Sequence, residues 1–334
     1  MKTKCLSLLL AVCLFAALTA CGEQTKHNIG FEAMDTYMQL TVYGEQQVAG
    51  DIKDDIQRLD GLLSTTDKGS DIYAVNQNGA ATVDEAVADV TRQSLALCQS
   101  TGGALDITVY PVVDEWGFIS KDFKIPSEKR LAQLLTAVDY TKVKLDGSTL
   151  SLPKNAKLDF GAVAKGYATD KALDRLKSSG SSGAILNLGG TVAAYGEKPG
   201  GADWRVGIAD PDNSASYMGY LDCKNKIVAT SGSYERYFKG DDGKIYSHII
   251  NPKTGCPVDN GIVSVSVVSD SGVRCDGLST ALFVMGKGKA EAYYHAHRDF
   301  EMILLTADKK AYVTGGIFDR FTLADGYDFT VEKI

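Results

Sequence analysis

Asp159-Phe160-Gly161-Ala162-Val163-Ala164-Lys165-Gly166-Tyr167 opens the stretch that decides the fold. Asp159 reads as an N-cap, an Ala-rich helix follows, and its pattern stops near Gly180. From Ala184 the chain changes character. Short apolar runs at 184–188, 191–196, 204–208, 226–231, 245–250 and 262–268 are separated by Gly-rich turns, and each predicts a strand. On the N-terminal side one early strand is predicted, where Met38, Leu40 and Val42 alternate with polar neighbours, and helices follow it. Ile52, Ile56, Leu59 and Leu63 fall at helical spacing. Thr82-x-x-Glu85 reads as a capping box for a second helix through Val87, Val90 and Leu97 that stops at Gly102-Gly103. Leu131, Leu134 and Val138 predict a short third helix. Asp276 reads as the start of a late one, and 302–306 with 311–314 as a hairpin. Helices cluster in the first half and short antiparallel strands in the second, without regular β-α-β alternation, so the fold class expected is α+β. No proline-rich linker or repeat divides the chain, and residues 29–334 read as a single domain.

Composition narrows the function. The chain has 334 residues, 44% hydrophobic and 23% charged, as soluble globular proteins have. Its formal charge of −7 falls to −9 without the two lysines of the first 20 residues, so a basic nucleic-acid-binding surface is not expected. Those first 20 residues read as a lipoprotein signal peptide. Lys2 and Lys4 precede an apolar run from Leu6 to Leu18, too short for a membrane span, which needs roughly 20 residues. Leu18-Thr19-Ala20-Cys21 resembles a bacterial lipobox, so Cys21 is the expected lipidation site and 21–28 a flexible tether. The expected location is the outer face of the cytoplasmic membrane, periplasmic where the host has an outer membrane. Cys98, Cys223, Cys256 and Cys275 remain in the domain, without a Cys-x-x-Cys pair. They suggest no zinc site and at most one disulfide.

Several segments carry chemistry, each with a plainer reading beside it. Gly161 to Gly166 has glycines at Walker-A spacing, but Lys165 precedes the second glycine and Tyr167 follows it, so it is not a P-loop. A helix start with Lys165 one turn in suits an anionic ligand; it also reads as a capped helix packed through its glycines. Asp276-Gly277-Leu278-Ser279-Thr280 places two hard oxygen ligands at i and i+4, which suits Mg²⁺, or else a cap and a polar first turn. His248 stands on the run Ser247 to Gly255, where a strand enters a turn. It reads as a structural histidine, or as a general base if an anion site lies beside it.

Together these segments resemble one family, the ApbE-type FAD:protein FMN transferases. The resemblance also rests on Met34, Leu63-Ser64-Thr65, Ser70-Asp71-Ile72 leading to Asn76, Leu105 to Pro111, Trp116-Gly117-Phe118 and Asn187-Leu188-Gly189-Gly190, in the family's order. It implies a T-fold-like architecture with Met34 in an early strand. The implied reaction moves FMN from FAD to a Thr hydroxyl of a partner protein, with Mg²⁺ as cofactor and release of AMP. Asp276, Thr280 and the carbonyl of Ala162 are the implied Mg²⁺ ligands. Met34, Thr66, Asp106, Ile107, Thr108, Asp159, Lys165 and Ile250 are the implied FAD contacts, and His248 the implied base. Implied acceptors are exported or membrane-facing flavoproteins with an Asp-x-x-Ser/Thr-Gly-Ala-Thr-like segment, such as subunits of sodium-translocating NADH:quinone reductases or Rnf complexes.

The chain departs from the pattern at two places. Met34-Asp35-Thr36 stands where Met-Gly-Thr is usual, and Thr66 where Tyr is. The smaller Thr66 raises a rival within the same chemistry, Mg²⁺-dependent hydrolysis of FAD to FMN and AMP. A rival of another class is a solute-binding lipoprotein without catalysis, which two α/β lobes would favour. Self-flavinylation is not expected, because Ser182-Gly183-Ala184 is followed by Ile185 where the acceptor pattern needs Thr.

Overall fold

A nine-stranded sheet carries the molecule, and its strands lie side by side in the order in which the chain makes them. They are Lys26–Ala33, Thr36–Tyr43, Gly183–Asn187, Thr191–Gly196, Lys226–Gly232, Ile262–Ser269, Glu301–Thr306, Lys310–Val313 and Thr330–Lys333. Neighbours pair antiparallel except the last two, which run parallel. The expected α+β class is the fold observed. The computed structural model describes residues 25–334. The signal segment, the lipidation site Cys21 and the first part of the tether lie outside the described residues. From Lys26 the chain is already strand, hydrogen-bonded along Thr36–Tyr43, so the domain begins before residue 29 and residues 26–28 are not tether.

Both faces of the sheet are covered, which explains the runs of consecutive apolar residues. Side chains alternate between faces along a strand. Ile227, Ala229, Val265, Val267, Met302 and Leu304 face the helices. Their sequence neighbours Val228, Val268, Ile303 and Leu305 pack on the other side, against Trp204, Val206, Met218 and Leu221 of a small three-stranded sheet. The helical layer comes mostly from one long insertion after Thr36–Tyr43. It contains helices Gln46–Leu63, Asp71–Asn78, Glu85–Ser100, Tyr110–Glu115, Glu128–Leu135 and Ala164–Ser179. Helices Gly272–Met285 and Lys287–His297 follow later in the chain.

Four local expectations are corrected. Thr82 is not a helix cap: it pairs with Thr149 in a strand, and the Asp84 carboxylate accepts from the Ala86 N–H at 2.9 Å instead. Asp159 does not start its helix. Its carboxylate closes a turn on the Gly161 N–H at 2.7 Å, and the helix begins at Ala164. Asp276 lies in the second turn of a helix that starts at Gly272. Ser271 caps that helix, and Asp170 of the neighbouring helix accepts from the Gly272 and Val273 N–H groups. Met34 is not in a strand. It forms, with Asp35, a two-residue hairpin turn in which both residues have positive φ, 51° and 57°. That geometry favours Gly, and Asp35 is a residue type that tolerates it.

The two helices that carry the Gly161–Tyr167 and Asp276–Thr280 segments cross at nearly bare backbone. A Cβ on Gly166 would stand 2.1 Å from the Gly272 carbonyl oxygen, and one on Gly272 2.1 Å from that of Gly166. Only glycine at both positions lets the helices meet this closely.

Candidate active site

The crossing puts Asp276 against the start of helix Ala164–Ser179. Gly166 N–H lies in the first turn of that helix, where the amides have no carbonyl of their own helix to bond. It donates to Asp276 Oδ2 at 2.9 Å, and among the described residues no backbone N–H bonds the carbonyl of Ala162, just before the helix. One carboxylate and one carbonyl without a backbone donor therefore lie at the same helix end. Thr280, one turn beyond Asp276, has its hydroxyl 3.0 Å from that of Ser231, which is 2.8 Å from Ser279 Oγ. Burial pushes the Asp276 carboxyl pKa up, and Lys165 with the Gly166 N–H pulls it down.

Lys165 is the charge around which the remaining groups gather. Asp159, Glu235, Asp276 and His248 all feel it. Asp159 and Glu235 are raised chiefly by desolvation, Glu235 to about 7, with Lys165 and Arg236 opposing the shift in both. Glu235 and Arg236 were missed in the sequence. Both keep solvent-accessible surface. The signal available was a Glu-Arg pair set among aromatics directly after a predicted strand.

His248 enters the crevice from the opposite wall. Its N–H donates to the Arg236 carbonyl at 3.0 Å, and its Nδ1 lies 3.1 Å from the same oxygen. A carbonyl can only accept, so Nδ1 carries the proton and Nε2 keeps its lone pair. Desolvation, then Arg236 and Lys165, lower the imidazole pKa to about 4, which leaves the ring neutral at physiological pH. The hairpin turn at Met34 reaches the same region through the 187–190 loop. A Cβ on Gly189 would strike Thr36 at 2.3 Å, and one on Gly190 would stand 3.9 Å from the Glu235 carboxylate.

This arrangement has counterparts. A sequence model of the ApbE family matches residues 34–304. The chain belongs to the ApbE family. A relative named FAD:protein FMN transferase from Haemophilus influenzae is 29% identical over 86% of this chain and 89% of its own. One of the same name from Vibrio cholerae is 31% identical over 76% of this chain and 78% of its own. The crystal structure of the ApbE protein from Thermotoga maritima superposes with a TM-score of 0.79 at 30% identity, covering 85% of this chain and 95% of that one. The apo flavinyl transferase ApbE of Pseudomonas stutzeri gives 0.77 at 26%, covering 86% and 93%.

Within this ApbE chain the other expected FAD contacts divide into two groups. Thr66 is exposed on the loop after helix Gln46–Leu63, its N–H held by Ser64 Oγ at 3.2 Å. Asp106, Ile107, Thr108 and Ile250 are buried. Asp106 accepts from the Thr108 N–H and hydroxyl and from the Tyr140 N–H; Thr108 Oγ1 accepts from the Asp139 N–H. These side chains hold the shape of their loop. Ile107 does similar work through its backbone, its carbonyl accepting from the Asp159 N–H at 2.8 Å. Ile250 packs with Val112, Trp116, Phe118 and Leu131, and Trp116 Nε1 donates to the Gly255 carbonyl at 2.7 Å. Cys98, Cys223, Cys256 and Cys275 are all free thiols. Among the described residues no three His, Cys, Asp or Glu side chains form a metal cluster, and no helix is long and apolar enough to cross a membrane.

Proposed function

We propose that this chain is an FAD:protein FMN transferase that moves the FMN half of FAD onto a threonine hydroxyl of a partner protein and releases AMP. Family membership supports the reaction class, and the neutral His248, its Nε2 free, carries the mechanism. Nε2 takes the proton of the acceptor hydroxyl as that oxygen attacks the FMN phosphorus. The bond from phosphorus to the bridging oxygen breaks, and AMP leaves with the electron pair. Lys165 and Arg236 face the pyrophosphate and offset the negative charge that builds up there. Asp159, closing its turn on Gly161, holds the approach to Lys165 in place.

The donor set fits Mg²⁺. One buried carboxylate with Lys165 as its main compensating cation, one hydroxyl and one carbonyl without a backbone donor are the hard oxygens this ion takes, water and phosphate completing its shell. Asp276, Thr280 and the Ala162 carbonyl would hold it, and when bound it would neutralise pyrophosphate charge. The absence of a three-residue acidic or histidine cluster does not conflict with a site that has a single carboxylate.

We also propose that Cys21 is lipidated and holds the domain on the outer face of the cytoplasmic membrane, from the lipobox-like Leu18 to Cys21. The acceptor is then an exported or membrane-facing flavoprotein with an Asp-x-x-Ser/Thr-Gly-Ala-Thr-like segment. The exposed Thr66, where relatives place a larger residue, favours a second activity, slow hydrolysis of FAD to FMN and AMP. The test of the main reading is His248→Ala. FAD still binds, and transfer falls by about 10²–10⁴, the usual worth of a general base. Unchanged transfer would remove His248 from the mechanism.

A further inference from the structure

Asn76 stands in the last turn of helix Asp71–Asn78 and is 8% exposed. Burying an amide is costly unless its donor and its acceptor are both paired. Both are paired here, by the backbone of one residue far away in the chain. Asn76 Nδ2 donates to the Leu158 carbonyl at 2.9 Å, and Asn76 Oδ1 accepts from the Leu158 N–H at 2.7 Å. A neighbouring strand would exchange the same two bonds, and a single side chain supplies them. Leu158 is wholly buried, so without Asn76 both of its backbone groups would lose their partner inside the core. From Leu158 the bonds run on to the site. The Asp159 N–H donates to the Ile107 carbonyl at 2.8 Å, and Asp159 Oδ1 accepts from the Gly161 N–H at 2.7 Å. The Phe160 carbonyl accepts from the Val163 and Ala164 N–H groups, both at 2.8 Å. Leu158, Phe160 and Val163 are sunk in the core between these bonds. The helix of Asn76 is itself fastened at its start. The Ser70 hydroxyl accepts from the Ile72 and Tyr73 N–H groups and lies 2.8 and 2.6 Å from the Leu62 and Ser64 carbonyls.

We propose that Asn76 is a positioning residue for the metal and pyrophosphate side of the site: by holding Leu158 it sets where Asp159, the Ala162 carbonyl and Lys165 stand. The inference rests on the reading of that side as the place of Mg²⁺ and FAD. The Asn76 amide is buried and engaged with Leu158, so it acts through the backbone and not by touching either ligand. Every residue from Leu158 to Phe160 has a hydrogen bond that fixes it, and the helix of Lys165 starts from the Phe160 carbonyl. A shift of Leu158 is therefore passed on to the Ala162 carbonyl and to Lys165. The same shift leaves Asp276, on another helix, where it is. The distance between the carboxylate and the carbonyl that would share the ion then changes, and Mg²⁺ tolerates little departure from its octahedral geometry.

The test sets Asn76→Ala beside Val75→Ala. Val75 is the preceding residue of the same helix and wholly buried, and its truncation loosens the helix while leaving both bonds to Leu158. Affinity for Mg²⁺ is read from the rise in Tm with MgCl₂, affinity for FAD from flavin fluorescence, and the Leu158 amide from hydrogen exchange. Asn76→Ala weakens Mg²⁺ binding by about 10–100-fold, the usual cost of losing an outer-shell partner of a metal site. It also weakens FAD binding at a fixed Mg²⁺ concentration and speeds exchange at Leu158. Val75→Ala lowers Tm with both affinities at wild-type values. Asn76→Asp, of the same shape, still accepts from the Leu158 N–H but turns an oxygen against its carbonyl, and it gives the same losses if the Ala variant does not fold. Unchanged affinities in a folded Asn76 variant overturn the proposal. So does an equal loss in Val75→Ala, which would make the effect one of helix packing. Asp276→Asn separates this inference from the site reading: if it abolishes the response to Mg²⁺ while Asn76→Ala does not weaken it, the site stands and the inference fails. If the wild type responds to neither Mg²⁺ nor FAD, the site reading has failed and the inference falls with it.

Discussion

Replacing Gly166 with Ala tests the helix crossing that builds the site. A methyl there meets the Gly272 carbonyl oxygen at 2.1 Å, its carbon at 2.5 Å and Asp276 Cβ at 2.8 Å. Two of these three atoms are backbone, so no rotamer change relieves the overlap and the helices must separate. Overpacking of this kind costs about 1–3 kcal/mol. Separation also weakens the bond from Gly166 N–H to the Asp276 carboxylate, and hydrogen bonds to charged groups are worth about 1.5–3 kcal/mol. Against this, Ala is favoured over Gly in a helix by about 1 kcal/mol. The balance is a loss of roughly 2–5 kcal/mol, or a fall in Tm of roughly 3–8 °C at this chain length. Thermal and urea melts of the mature domain measure it. In the same variant the Mg²⁺ concentration for half-maximal AMP release rises, because Asp276 moves away from the Ala162 carbonyl. A Gly166→Ala protein that melts above the wild type would refute the reasoning, since helix propensity would then outweigh the contact.

Other outcomes follow from individual groups. The His248 pKa is lowered from 6.5 to about 4 in the folded chain, so the unfolded chain binds the proton more readily between those values. The stability it contributes is complete above about pH 6.5 and is lost as pH falls through about 4; His248→Gln flattens that slope in acid melts, and parallel wild-type and variant curves would contradict it. With Asp276→Asn, the rise in Tm that Mg²⁺ gives the wild type disappears; binding at 100 times Kd is worth about 2.7 kcal/mol, and a persisting rise would move the metal elsewhere. Cys21→Ser releases the protein from washed membranes with its FAD chemistry intact, and a variant that stays membrane-bound would refute lipidation there.

Much of the scaffold was legible because its signals are local. The strands at 191–196, 226–231 and 262–268 and the left-handed Gly180 at the end of helix Ala164–Ser179 are where period and turn chemistry put them. The start of the helix that carries Asp276 was misread because a distant residue helps to cap it. Asp170, one helix away, and Ser271 start the helix of Asp276 earlier than its own sequence suggests. Strand Asn213–Cys223 went unread because its pairing with Trp204–Asp210 shifts register after Ile208, which breaks the alternation. Lys165, His248 and Asp276 could be singled out in the sequence because each sits in a segment with a chemical pattern. Glu235 and Arg236 sit in none, and only the fold of the 237–247 hairpin brings them to Lys165 and His248. Asp106 and Thr108, implied as FAD contacts by the resemblance, hold the Tyr140 and Asp139 N–H groups, partners that the sequence does not reveal.

The central claim is covalent transfer. The most direct measurement incubates the mature domain with FAD, Mg²⁺ and an apo-acceptor carrying the Ser-Gly-Ala-Thr segment, and follows flavin fluorescence on a denaturing gel beside AMP release. The account predicts a fluorescent acceptor band, with one AMP for each flavin attached, and its loss when the acceptor threonine is changed to Ala. AMP formed at the same rate with and without acceptor, with the acceptor band dark, would contradict it.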